Sequence, residues 1–154
     1  MRRTVKRILA AGLALALLLS LAACGGKVRE FDVDATPKAL MEAGAFSEEL
    51  EELEEVILLR LYEMDESKVS KAAGFASTGL TAEEVAVFEM VDEQAAKDAE
   101  AVLQAHLEYQ KESNVDYRPG EMPKLEKAVV EQRGRTLLFL VASDYAAAGK
   151  ALES

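Results

Sequence analysis

At 154 residues, half of them apolar, the chain has room for one folded domain and too much apolar content to be disordered, despite its 18 basic and 28 acidic side chains. Four of the basic residues (Arg2, Arg3, Lys6 and Arg7) stand at the very start; setting them aside leaves 14 basic against the same 28 acidic residues, a formal charge of −14 on residues 24–154. Such a surface repels phosphate backbones and anionic headgroups alike, so nucleic acid is excluded as a partner and no basic patch exists to hold a membrane.

The first seven residues form a basic region free of acids, and Ile8 to Leu21 then run apolar, broken by Gly12 and Ser20. That run is shorter than the ~20 residues of a membrane span and fits the apolar core of an export signal. It ends in Leu21-Ala22-Ala23-Cys24-Gly25. This stretch resembles the lipobox of bacterial lipoproteins, in which Leu, two small residues and Cys follow one another. The resemblance implies that residues 1–23 are a cleaved signal peptide and that the Cys24 sulfur carries diacylglycerol. The competing readings are an uncleaved anchor, since residues 8–26 carry no charge, and an ordinary secretory signal with a chance cysteine. Lipidation is preferred because it also accounts for the lone cysteine, which has no partner for a disulfide. Two acyl chains suffice for stable anchoring where one does not.

Residues 24–33 read as the lipidated cysteine and a short tether, and 34–154 as the domain. Six to ten flexible residues span on the order of 15 Å, which keeps the domain near the bilayer. Asp34-Ala35-Thr36-Pro37 predicts a helix start, with Asp34 or Thr36 capping and Pro37 in the first turn. After Gly44, the spacing of Leu50, Leu53, Ile57, Leu58 and Leu61 predicts a second amphipathic helix with an acidic outer face, while a strand through Val56-Ile57-Leu58-Leu59 is the competing reading. Lys71 to Thr78, closing on Ser77-Thr78-Gly79, reads as a strand. Thr81-Ala82-Glu83-Glu84 has the form of a helix capping box, yet the β-branched Val85, Val87 and Val91 favour a strand over Glu83 to Met90, and the strand is preferred.

Asp92 to Ser113 is the clearest helix, with Ala95, Ala96, Ala99, Val102, Leu103 and Leu107 on one face. Asn114 to Pro123 reads as a loop. Lys127 to Glu131 and Thr136 to Val141 flank Gln132-Arg133-Gly134-Arg135 as a hairpin, and the second strand, apolar on both faces, belongs in the middle of a sheet covered on each side. Ser143 and Asp144 then cap a last helix, Tyr145 to Leu152. The sum is an α+β domain: a mostly antiparallel sheet of about four strands, with helices on one or both faces.

From Phe31 onward the chain resembles a family of small bacterial lipoproteins known as domain of unknown function 4358. The resemblance is carried by Ala43-Gly44-Ala45-Phe46-Ser47, by Ser77-Thr78-Gly79 with Thr81 to Phe88, by Tyr117-Arg118-Pro119, and by Lys124 to Val130. It implies an exported α+β lipoprotein and supports the strand at Glu83 to Met90. It implies no activity and no cofactor.

Nucleophilic hydrolysis needs a histidine beside a nucleophile. The single histidine, His106, falls within the Ala99/Leu103 stripe and reads as a hydrogen-bonded packing residue in preference to a catalytic or pH-sensing one. Zinc ligands are lacking, and the six glutamates of Glu48–Glu55 have none of the spacing or the central glycine of a calcium loop; they read as a solvated face. In Tyr117-Arg118-Pro119-Gly120, an exposed recognition loop competes with a packing role, in which Tyr117 lies on the sheet and the prolines fix the return to the hairpin; packing is preferred. The functional expectation is a non-enzymatic binding or accessory module, lipid-anchored through Cys24 on the extracytoplasmic face of the cell membrane, whose partner is another envelope protein or a small ligand. The alternative is a carboxylate-based hydrolase of cell-wall or extracellular substrate. A two-lobed solute-binding protein is disfavoured by length.

Overall fold

A strand with no polar face needs cover on both sides, and two such strands decide this architecture. In the computed structural model, which describes residues 28–153, β3 (Glu84–Met90) and β5 (Thr136–Val141) pair antiparallel, and every side chain of β5 is buried. The expected signal segment, Cys24 and the first tether residues lie outside the described residues. Around the central pair run β1 (Glu51–Leu53), β2 (Val69–Ala76) and β4 (Val129–Arg133), giving one sheet of order β1-β2-β3-β5-β4 with every pairing antiparallel. The sheet is therefore five-stranded among the described residues, one strand more than expected, and the α+β class stands.

Side-chain alternation along β3 and β5 creates two cores. Ala86, Phe88 and Met90 share one face with Leu137, Phe139 and Val141, and α3 (Glu93–Val115), α2 (Glu55–Leu61) and α4 (Met122–Leu125) cover it through Leu103, Leu107, Leu58 and Leu125. Val85, Val87, Leu138 and Leu140 face the other way, beneath α1 (Ala35–Glu42) and α5 (Tyr145–Glu153). Each fully buried Leu or Phe stabilises the fold by about 1.5–3 kcal/mol, so both faces are needed. Phe31 and Val33, within the expected tether, are each only 6% exposed and belong to the second core. Phe31 N–H donates to Thr136 Oγ1 at 2.9 Å, and Arg135 N–H donates to Glu30 Oε1 at 2.7 Å, which ties the start of the described chain to the β4–β5 turn.

Local chemistry explains where expectation and structure part. The helix predicted through the acidic run begins late. Glu51 to Leu53 instead pairs with Gly74 to Ala76 as an edge strand, because β2 offers it a free ladder, and α2 starts at Glu55. Leu58 of α2 crosses β2 at Gly74, where an added Cβ would lie 2.6 Å from Val85 O and 3.0 Å from the Leu58 side chain. Neither Asp34 nor Thr36 caps α1: Asp32 Oδ1 accepts from Asp34 N–H and Ala35 N–H at 3.1 and 2.8 Å. α3 begins as expected, with Asp92 accepting from Ala95 N–H at 2.7 Å, and runs two residues past Ser113. The predicted loop at Asn114 to Pro123 instead contains the end of α3, a 3-10 turn at Pro119–Glu121 and the start of α4. Asp144 caps α5 at Ala146 and Ala147 N–H, whereas Ser143 Oγ donates to Ala45 O. Gly134 supplies φ +57° in the hairpin turn.

Candidate functional site

The β2–β3 loop, Ser77 to Glu83, sits at the end of the sheet opposite the β4–β5 turn, and three other segments grip it. From the α1–β1 connection, Ser47 donates to Glu83 with its backbone N–H at 2.9 Å and its hydroxyl at 2.7 Å, and Glu48 Oε1 accepts from the Ser77 and Thr81 hydroxyls. From the end of α3, Arg118 Nη1 donates to the carbonyls of Gly79 and Thr81 at 2.8 and 2.9 Å while its Nε donates to Asn114 Oδ1 at 2.8 Å. From the turn into α4, Glu121 accepts from Ala82 N–H at 2.8 Å, and Lys124 bridges Glu121 and Glu83 at 3.0 and 2.8 Å. The segments that carry the family resemblance thus meet in space.

Glu83 is 1% exposed. Burial opposes its charge, but the hydrogen bonds from Lys124 and Ser47 outweigh that penalty and hold the carboxyl below its usual range. Desolvation lowers Lys124 in turn, but its hydrogen bonds to Glu83 and Glu121 outweigh that and raise it. Glu48 is also held low, by the Ser77 and Thr81 hydroxyls. Thr81 Oγ1 accepts from Glu83 N–H at 3.1 Å, so the capping-box pattern forms a local turn and no helix, and the strand preferred from the β-branched residues is the one observed.

Glu84, the next residue, turns to the opposite side. Its carboxylate accepts from the Tyr62 hydroxyl at 2.8 Å, and His106 Nε2 lies 3.3 Å from its other oxygen. The His106 ring packs 4.4 Å from that of Tyr62 and 5.2 Å from that of Phe139, the hydrogen-bonded packing role expected of it. Burial, then the Glu84 charge, push the Tyr62 phenol well above its ordinary value.

The Tyr117–Gly120 loop divides between its two readings. Arg118 is structural, as described, and Pro119 and Pro123 stand in the first turns leading to the hairpin. Tyr117 does not pack on the sheet: it is 83% exposed, because Arg118, the residue beside it, is the one drawn inward. Leu80, between the two carbonyls that Arg118 holds, is 76% exposed. Two large apolar side chains therefore project from one braced corner. Sequence reasoning passed over Leu80, Glu83, Glu84, Tyr62 and Lys124. The strand expected over Glu83 to Met90 already holds both glutamates, and cover on its two faces puts each of them inside and in need of a partner.

Among the described residues no set of three or more His, Cys, Asp or Glu side chains is arranged to hold a metal, and no helix is long and apolar enough to cross a membrane. No curated protein and no solved structure matches the chain. A family model does, over residues 42–142, a span that begins at the end of α1, takes in the whole sheet and includes every clamp residue just described: the chain belongs to the family described as Domain of unknown function (DUF4358).

Proposed function

We propose that the protein is a non-enzymatic binding or accessory module of the cell envelope, anchored by acyl chains on Cys24 at the extracytoplasmic face of the membrane, with Leu80 and Tyr117 as its point of contact with another envelope protein. The observation that carries this reading is the exposure of those two side chains on a rigid support. Exposed Tyr and Leu on a mobile loop lose conformational freedom on binding; on a loop fixed by Arg118, Glu121 and Glu83 most of that cost is already met in folding. The orientation is favourable too. The described chain starts at the β4–β5 turn, and the Leu80/Tyr117 corner lies at the other end of β3, so the chain enters the domain at the end opposite the corner. The acidic surface leaves those acyl chains as the main attachment.

The alternative, a hydrolase, needs a carboxylic acid whose pKa is raised beside a second carboxylate. Glu48 and Glu83, which neighbour each other in the clamp, are both held low instead, and Glu84 is turned to the other face.

The test is photocrosslinking in native membranes from a benzophenone side chain at position 117 or 80, with position 97 on α3 as a control. Capture of the same envelope protein from 117 and 80, absent at 97, is the expected result; no capture from either overturns the reading. Cys24→Ala is expected to abolish acyl labelling and release the protein from the membrane. A variant that still labels refutes the anchor.

A further inference from the structure

A groove of about 660 Å³ runs between α2 and α3. Ala101, Val102 and Ala105 form its α3 wall, the small side chains leaving open space where larger ones would close it. Leu61 and Tyr109, 40% and 66% exposed, stand at its rim, and Tyr62 and His106 line it more deeply. The size is that of a small-molecule site, and a mostly apolar lining with few directed polar atoms is the usual composition of one.

One of those polar atoms is unspent. The His106 side chain is only 7% exposed, and its polar partner among the described residues is Glu84, at Nε2. Since every fully buried side-chain nitrogen and oxygen among the described residues has a partner, Nδ1 is the accessible ring nitrogen, and the space it meets is the groove. In the neutral imidazole, hydrogen on Nε2 faces the Glu84 carboxylate, which also accepts from Tyr62, and Nδ1 is then an acceptor. Glu63 lies at the mouth, with a backbone φ of +54° that closes the end of α2, and its charge together with the acidic surface disfavours anions.

We propose that this groove binds a small, planar, largely apolar and uncharged molecule that donates a hydrogen bond to His106 Nδ1. The flat part lies against Tyr62 and the Ala101/Ala105 wall, and the donor, a hydroxyl or N–H, points inward. The site is separate from the protein-binding corner and stands whether or not that reading holds.

Phenol and anisole test it, because they share a ring and differ in the donor. Titrated into the full chain in detergent and followed by NMR at Tyr109, Ala105 and the His106 ring nitrogens, phenol is expected to move all three, with anisole about tenfold weaker. Ala105→Trp fills the groove from an exposed helix position and is expected to remove the phenol response, while also reporting any partition into detergent. His106→Phe is expected to bind phenol and anisole alike. Equal affinity of phenol and anisole for the unaltered chain, tighter binding of benzoate than of phenol, no response to phenol, or a response that survives Ala105→Trp would each overturn the proposal.

Discussion

Glu83 and Glu84 are neighbours in the chain and both are taken out of water, yet the surroundings of each are chemically different. Glu83 meets a cation, a hydroxyl and a backbone N–H at the corner where four segments join. Glu84 meets a phenol and an imidazole between two helices and the sheet. The first arrangement cancels charge and locks a loop. The second leaves a histidine oriented, with a nitrogen to spare. Adjacent residues of one type thus serve rigidity on one side of a strand and directed polarity on the other.

The sharpest way to break the contrast is Lys124→Met. It leaves the Glu83 carboxylate buried without its cation, and the expected loss is about 4 kcal/mol in chemical denaturation. A loss under about 1 kcal/mol would mean that Ser47 alone satisfies the charge. On the other side, Tyr62→Phe removes one hydrogen bond to Glu84 and keeps His106, so a loss of about 2 kcal/mol is expected by the same measurement. Comparable losses for the two variants would erase the distinction drawn between the sites.

Acid gives a smaller effect that can be read separately. Because Glu83 titrates below the usual 4.5 in the folded protein, its contribution is fully present above that value and disappears as pH falls through the folded pKa. The stability difference between the unaltered chain and Glu83→Gln should therefore shrink on acidification below pH 4.5; a difference constant with pH would show that the charge on Glu83 contributes nothing. The smallest effect is expected at Tyr117→Ser, which changes stability by at most about 0.5 kcal/mol because the ring touches little. Loss of crosslinked partner with unchanged stability is the outcome that separates a contact residue from a structural one.

How much of this was legible beforehand depends on the range of the interaction. α3 and β5 announce themselves, since a stripe of alanine and leucine, or a strand apolar on both faces, is a local pattern with one good solution. β1 does not. Leu50 and Leu53 have helical spacing, and what makes a strand of Glu51–Leu53 is an edge of β2 that is distant in sequence. Helix caps show the same limit at shorter range, for Asp32 outcompetes Asp34 by two positions. The clamp was visible as fragments of a family pattern, but its meaning, that Ser47, Glu83, Arg118 and Lys124 belong together, is a matter of tertiary contact. Tyr117 was misjudged because a neighbouring arginine competed for the interior and won.

The long helix has one more consequence. α3 begins beside the hairpin turn, where Gln132 Nε2 donates to Glu93 O, and ends at the clamp, where Arg118 N–H donates to Asn114 O. Its 23 residues measure about 34 Å at 1.5 Å each. On the proposed anchoring through Cys24, that length would act as a standoff, setting the height above the lipid at which Leu80 and Tyr117 are offered. A partner embedded in the same membrane would then have to meet them with a part that rises as far, so that the helix would select its company by stature before any side chain is read.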